Sequence, residues 1–320
     1  METGLFISYC EKIFRKLFIS KIPNRDYIGW YGPEDVYTDY DGDVTGNWFY
    51  ANPNGTAYED GWLAQDGGWY YIRTYNGMMY SEGTYEINDK RYRFKKDGKL
   101  IIGWYQTGIY LNDWYYTNAD GSAYSGWLPY GGSWYYFDDW GDMYGNQWVD
   151  NKYYMGRDGR MVSGWYDCSQ KSANYSSTNW MYFNADGTKY VGWLPYNGNW
   201  YYINDDGHML ADTINACLSR DAFRDENGVF NSTEYNKACN ASPRYVFDAN
   251  GVMVTGWYHD IQTTGGQITY DKWYYSDSDG KCHDGWLLYN GAWYYFNKGV
   301  MLRNTYTPDG NWVGLDGVWA

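Results

Sequence analysis

"GWLPYGGSWYYFDDWGDM", residues Gly126–Met143, carries seven aromatic side chains in eighteen positions. No helix-length apolar face is available here to bury them. The run Trp134-Tyr135-Tyr136-Phe137 alternates instead. A period of two sets Trp134 and Tyr136 on one face of a strand, and Tyr135 and Phe137 on the other. The stretch reads as one hairpin whose rings look both ways.

Nearly the same string returns along the chain. "GWL" occurs at Gly61, Gly126, Gly192 and Gly285. A second Trp lies seven residues after the first in every copy: Trp62/Trp69, Trp127/Trp134, Trp193/Trp200 and Trp286/Trp293. Each second Trp opens "WYYI" or "WYYF", and a Gly and a Met follow, as at Gly141 and Met143. A "GWY" element, at Gly29, Gly103, Gly164 and Gly256, reaches its own Trp only after a longer loop: Trp48, Trp114, Trp180 and Trp273. A third, weaker element starts at Tyr85, Trp148, Pro243 and Thr307. The chain thus reads as four modules of three hairpins, 29–102, 103–163, 164–255 and 256–320, with an insertion at 211–242 inside the third. In that insertion "DTINACLSRDAFRDENG" could form a short helix, and the segment is read as a loop elaboration.

A two-stranded hairpin is marginal in water on its own. Stacked hairpins with interleaved rings form a solenoid in which each unit contacts its neighbours. The expected fold is therefore all-β, a β-solenoid of stacked hairpins, with a short N-terminal helix. Turns such as "NADG" at Asn118–Gly121 and Asn184–Gly187 call for glycine at positive φ, so their carboxylates are turn residues first. "DYDGD" at Asp39 and "DSDG" at Asp277 begin like calcium loops, but their twelfth positions are Tyr50 and Leu288 rather than Glu.

Composition narrows the function classes. The 320 residues are 22% aromatic, with 41 Tyr, 20 Trp and 39 Gly. Lys and Arg number 25 against 39 Asp and Glu, a net charge of −14 that disfavours nucleic acid. No apolar run approaches the roughly 18 residues of a membrane span. Residues 1–28 differ from the rest: Phe6, Cys10, Ile13, Leu17 and Phe18 recur at helical spacing between basic residues. This segment reads as a cap on the first repeat or a remnant. Membrane contact is not expected outside residues 1–22, and Glu2 and Glu11 make it a poor signal peptide. Five Cys give no disulfide framework, although Cys217 and Cys239 are candidates to pair. His259-Asp260 has no identifiable third partner, and Cys282-His283 is no metal constellation. No catalytic set, metal or cofactor is expected.

The pattern "GWL-x₄-G-x-WYYF-x₃-G-x-M" resembles the choline-binding, or cell-wall-binding, repeats of Gram-positive bacteria and their phages, over about Gly29 to Ala320. Glucan-binding and clostridial-toxin repeats are relatives. The resemblance implies a left-handed β-solenoid with ligand cages between successive hairpins. Each cage is walled by the Gly-Trp Trp, the WYY Trp and a Tyr of the next hairpin. A quaternary ammonium suits such a cage because it is attracted to ring faces and needs no strong hydrogen bond.

Carried over, the resemblance implies cages at Trp62/Trp69/Tyr92, Trp127/Trp134/Tyr153 and Trp193/Trp200/Tyr245. Trp286 and Trp293 form a fourth pair, but the closing position there is Asn311. A second set is Trp30/Trp48/Tyr70, Trp104/Trp114/Tyr135, Trp165/Trp180/Tyr201 and Trp257/Trp273/Tyr294. In the third element Arg91, Lys152 and Arg244 stand where the WYY Trp would be, and could repel choline or hydrogen-bond a sugar. Trp140 lies outside the repeated pattern. The implied partner is choline-decorated teichoic acid or a cell-wall or glucan polysaccharide, met outside the cell or at its surface. A structural spacer is a further reading, since stacking alone could select the rings.

Overall fold

The computed structural model describes residues 29–31, 37–38, 44–45, 48–54, 56, 58, 61–73, 77–108, 113–168, 179–215 and 223–320. The expected N-terminal helix, Cys10, Cys217 and the Asp39 turn lie outside them. The described chain is nearly all β, with one helix.

The GWL hairpins show why the two Trp are seven apart. Their turns are Asp66-Gly67, Gly131-Gly132, Asn197-Gly198 and Asn290-Gly291, with both residues at positive φ in each. This is the two-residue type I′ turn, whose twist matches that of the strands it joins. With two turn residues, Trp127 pairs with Tyr136 and Pro129 pairs with Trp134. Trp127 and Trp134 therefore leave the same face, two positions apart along the ladder. Trp62/Trp69, Trp193/Trp200 and Trp286/Trp293 follow the same register.

Among the described residues, twelve repeat hairpins follow one another, with one further small pair, Tyr37–Thr38 with Val44–Thr45, inside the loop of the first. The GWY hairpins pair, for example, Gly103–Gln106 with Trp114–Thr117, and Gly256–Thr264 with Gln267–Ser276. The third-element hairpins pair Gly83–Ile87 with Lys90–Phe94, Gln147–Val149 with Tyr153–Met155, Thr213–Asn215 with Tyr245–Phe247, and Thr305–Tyr306 with Trp312–Val313. The chain forms two compact units, residues 1–145 with 157–160, and 146–156 with 161–320.

Within each unit one backbone hydrogen bond recurs from hairpin to hairpin. The N–H of Met79 donates to the Trp48 carbonyl, Leu100 to Trp69, Ala123 to Arg91 and Met143 to Trp114, at 2.7–2.9 Å. In the second unit Lys189 donates to Lys152, Met209 to Trp180, Met253 to Trp200, Cys282 to Arg244 and Trp319 to Trp293, at 2.8–2.9 Å. This ladder fixes the equivalence of positions: Arg91, Lys152 and Arg244 occupy the place of the second Trp.

The core lies where consecutive hairpins meet. Ile72, just past its strand, and Phe94, Phe137, Phe183, Ile203, Phe247 and Phe296, the last rings or branched chains of theirs, are all buried. Turn glycines close the contact. Gly141 has φ +87°, and a Cβ there would lie 2.6 Å from the buried ring of Tyr115.

The insertion differs from the reading of the sequence. Thr213–Asn215 is a strand of the ninth hairpin, so the insertion begins after it. Residues 216–222 of the segment read as a possible helix lie outside the described residues; downstream of that segment, Ser232–Ala241 is a helix. Asn231 caps it by accepting the Glu234 N–H, and Glu234 sits in the first turn. Cys239 is disulfide-bonded. Cys168 and Cys282 are free.

Two outcomes are expected. Gly141→Ala combines a left-handed backbone with overpacking on Tyr115, each costing about 1–3 kcal/mol. Its melting temperature should fall by several degrees, more than for Gly131→Ala, where positive φ is the only obstacle and no atom lies within 4 Å. Burial pushes the Cys168 thiol up to about 12 and the Cys282 thiol to about 11. Peptide mapping after iodoacetamide at mildly alkaline pH should find both unlabelled in the folded protein and labelled in guanidinium chloride.

Candidate functional site

Within each unit, the Gly-Trp Trp meets a ring of the next hairpin, as Trp62, Trp104, Trp165, Trp193 and Trp257 do. In the third module the Trp193 ring lies 6.3 Å from Trp200 at 83° and 4.9 Å from Tyr245 at 67°. Trp62 meets Tyr92 at 4.7 Å and 70°, with Trp69 on the same face of its hairpin. Trp127 and Trp134 stand 6.4 Å apart at 83°. Tyr153 lies in the strand Tyr153–Met155 of the second unit. Edge-to-face pairs of this kind add about 0.5–1.5 kcal/mol beyond the area they bury.

The fourth pair, Trp286 and Trp293, keeps the geometry at 6.4 Å and 88°. Its third ring is Trp319, 6.1 Å from Trp286, in place of the Tyr that Asn311 lacks. The Trp286 indole N–H donates to Asp309 Oδ2 at 2.9 Å. Trp319 lay beyond the aligned strand, in the tail of the last hairpin, so its place was visible only once the hairpins were paired.

The second set has the same geometry as the first. Trp104 lies 5.9 Å from Trp114 and 5.1 Å from Tyr135, and Trp257 lies 6.1 Å from Trp273 and 5.0 Å from Tyr294. Trp165 meets Tyr201 at 5.1 Å, with Trp180 exposed on the facing strand. Trp30 lies 4.6 Å from Tyr70, and these rings, Trp48 and Met79 line a cavity of about 650 Å³ whose rim includes Asp66 and Asp97. Burial, then the charges of Asp97 and Asp66, push the Tyr70 phenol up. Lys96 and Lys99 line the same cavity, so its two carboxylates are matched by two ammonium groups.

Sequence reasoning missed a fourth ring in three of these junctions. Tyr130 lies 5.3 Å from Trp104, Tyr196 5.9 Å from Trp165, and Tyr289 5.7 Å from Trp257. The signal was present: a Tyr stands four residues after Gly126, Gly192 and Gly285, where the first module has Gln65. Trp273 also carries His259 stacked flat on it at 3.9 Å, and the imidazole in turn meets Asp271 at 2.7 Å. The Trp backbones are tied down as well. Tyr124 donates its hydroxyl to the Trp127 carbonyl and Tyr58 to that of Trp62, both at 2.6 Å, and Tyr190 does the same for Trp193.

The junction after a third-element hairpin is different. Thr84 takes the Gly-Trp position, and the Arg93 guanidinium lies 5.0 Å from the Tyr115 ring. Arg91 stacks on Trp140 at 3.9 Å instead of walling a cage. In the second unit Lys189 lies over Trp148 at 5.8 Å. These junctions hold a cation of the protein against a ring. The carboxylate at Asp277 approaches His283, that at Asp279 pairs with Lys281, and no group of three metal-ligating side chains occurs among the described residues.

Perpendicular Trp and Tyr faces with few donors can hold an apolar cation or the C–H face of a sugar. The hairpins and their ring-walled junctions define an aromatic-repeat binding protein. Five segments, 44–57, 125–143, 191–209, 267–282 and 284–299, match the family described as "Putative cell wall binding repeat". The chain carries repeats of this choline-binding, or cell-wall-binding, family. It is 30% identical over 230 residues to Glucosyltransferase-S of Streptococcus mutans serotype c, covering 66% of this chain and 14% of that one. It is 26% identical over 251 residues to Toxin A of Clostridium novyi, covering 54% and 11%. The chain thus spans a small part of these curated relatives. Among solved structures, CbpJ from Streptococcus pneumoniae TIGR4 aligns with 23% identity over 91% of this chain and 100% of that one, at a TM-score of 0.49.

The two Trp of a pair should differ in what they carry. Trp193 meets four rings, whereas Trp200 is 46% exposed. Trp193→Ala should cost about 3–5 kcal/mol, as for a packed aromatic. Trp200→Ala should shift the thermal transition by no more than a few degrees in circular dichroism.

Proposed function

We propose that the chain is a non-catalytic binding module in which the hairpins stack as a β-solenoid and hold a repetitive cell-wall polymer by its choline groups. The observation that supports this is the recurrence of one geometry. A Trp pair about 6 Å apart and nearly perpendicular, with a third ring about 5–6 Å away, appears in both the GWL and the GWY junctions. The second Trp of the GWL pairs is exposed at its outer edge, so a ligand can enter without unfolding anything.

Cation–π contacts are worth about 0.5–2 kcal/mol per ring. Three rings, less the cost of immobilising the ligand, give single-cage affinities near the millimolar range. Several such cages on one chain grip a repetitive polymer far more tightly than one choline. This reading places the protein outside the cell or at its surface. A second reading, binding of glucan or cell-wall glycan on the same rings, draws on the likeness to the glucosyltransferase and on the Arg residues of the third hairpins.

Tryptophan fluorescence titration separates the readings. Choline chloride should saturate the signal in the millimolar range, and Trp200→Ala should lower the number of sites by one while leaving the others intact. Saturation by isomaltotriose with no response to choline would overturn the choline reading.

A further inference from the structure

Trp140 breaks the repeat without serving the fold. The turn Asp138-Asp139-Trp140-Gly141 is the counterpart of Asn118–Gly121, Asn184–Gly187 and Asn204–Gly207. The residue before the glycine is Asp in those three, Asp120, Asp186 and Asp206, and Trp here. The turn needs no ring: Asp138 Oδ1 accepts the Trp140 N–H at 2.8 Å and the Asp142 N–H at 3.0 Å. The Trp140 side chain is 54% exposed. Its neighbour is the Arg91 guanidinium, stacked 3.9 Å from the ring centroid. Arg91 Nη1 donates to the Asp139 carbonyl at 2.7 Å, while its Nε is buried without a partner.

Beside this stack lies a cavity of about 550 Å³, lined by Glu86, Asp89, Lys90, Arg91, Asn118 and Asp139, with Ser122 and Ala123. It is built by the third-element hairpin and the tail turns of the two hairpins that follow. All of it belongs to the first unit. Lys90 is held by Asp120 at 2.9 Å. The Ser122 hydroxyl donates to the same carboxylate, and this bond, then Lys90, holds Asp120 at about 2.

The lining selects by its mixture of groups. Three carboxylates repel an anion, and Arg91 with Lys90 repels a choline-like cation. There is little apolar wall to hold a hydrocarbon. A hydroxyl-rich neutral ligand can donate to the carboxylates and accept from Arg91 and Asn118 at once. We infer that this cavity is a pyranose subsite, separate from the aromatic cages, in which Arg91 contacts the sugar and Trp140 positions Arg91. The third module differs: the position of Trp140 is Asp206 there, and among the described residues Arg91 is the one arginine stacked on a Trp. The subsite does not rest on the choline reading, because no cage residue lines it.

Isothermal titration of the full chain in saturating choline chloride tests this. Isomaltotriose stands for a glucan and chitotriose for an N-acetylated wall glycan. At least one should give heat at a stoichiometry near one, and choline should not compete. Arg91→Ala should weaken it at least tenfold. Trp140→Asp, which restores the residue of the sister turns and so keeps the fold, should weaken it several-fold. Trp200→Ala should leave it unchanged. Absence of heat with both sugars, competition by choline, or full binding in Arg91→Ala would each overturn the subsite. Failure of choline to bind, with sugar heat retained, would remove the choline reading and leave the subsite standing.

Discussion

A short two-stranded hairpin has two faces and buries neither by itself. In this protein the neighbouring hairpin covers them, and the contact is made by rings. The Gly-Trp Trp of one hairpin meets the first Tyr of the next at about 5 Å, edge to face. The backbone adds one hydrogen bond from the tail of the next hairpin to the carbonyl at the second-Trp position. Phe or Ile at the end of the strand, and a glycine in the tail turn, fill the space beneath. Remove the ring contact and each hairpin returns to being marginal. Stability therefore depends on nearest neighbours, as in other repeat proteins.

That constraint also shapes the proposed site. Rings that stack edge to face leave a concave angle between them, and the angle is lined with π faces. The fold needs the first Trp and the closing Tyr; the second Trp is exposed and is the part the fold could most readily lose. The junction end of the hairpin is correspondingly uniform, while the far end varies. The GWL hairpins close in two residues, the Gly256–Ser276 hairpin runs nine and ten residues per strand, and the ninth hairpin holds a helix in its loop. Length changes at the far end leave the junction register unchanged. For that reason the cages of the GWY hairpins match those of the GWL hairpins, despite their long loops.

The parts of this arrangement that are periodic were readable. Seven-residue Trp spacing is the arithmetic of a two-residue turn, and twelve hairpins could be counted from it. The alignment of Arg91, Lys152 and Arg244 with the second Trp came from the same pattern, and the backbone ladder places them there. What escaped was decided by pairing between segments. Tyr130, Tyr196 and Tyr289 become walls only because a strand end lies over the preceding Trp. Trp319 closes the last cage from a tail, where a strand position had been expected. The helix at Ser232 began after an Asn cap that local apolar spacing did not mark, and Thr213–Asn215 was claimed as a strand by its distant partner Tyr245–Phe247. Trp140 could not be assigned from the repeat because it departs from it.

The third-element hairpins show how one scaffold can change its chemistry without changing its shape. In the first three modules their junctions keep the backbone bond and the buried Phe or Met but exchange the second Trp for Arg or Lys. A ring face left without its Trp partners then holds a cation supplied by the protein, as Arg93 does over Tyr115. An internal guanidinium over the ring competes with an external ammonium for the same face, so such a junction is poorly suited to choline. The exchange offers a ligand hydrogen-bond donors in place of a π surface. In a chain of net charge −14 these basic residues stand at equivalent positions, one per module in the first three. The sequence thus alternates two kinds of junction, aromatic and polar. A ligand that presents both charged and hydroxyl-rich groups would match that alternation better than either group alone.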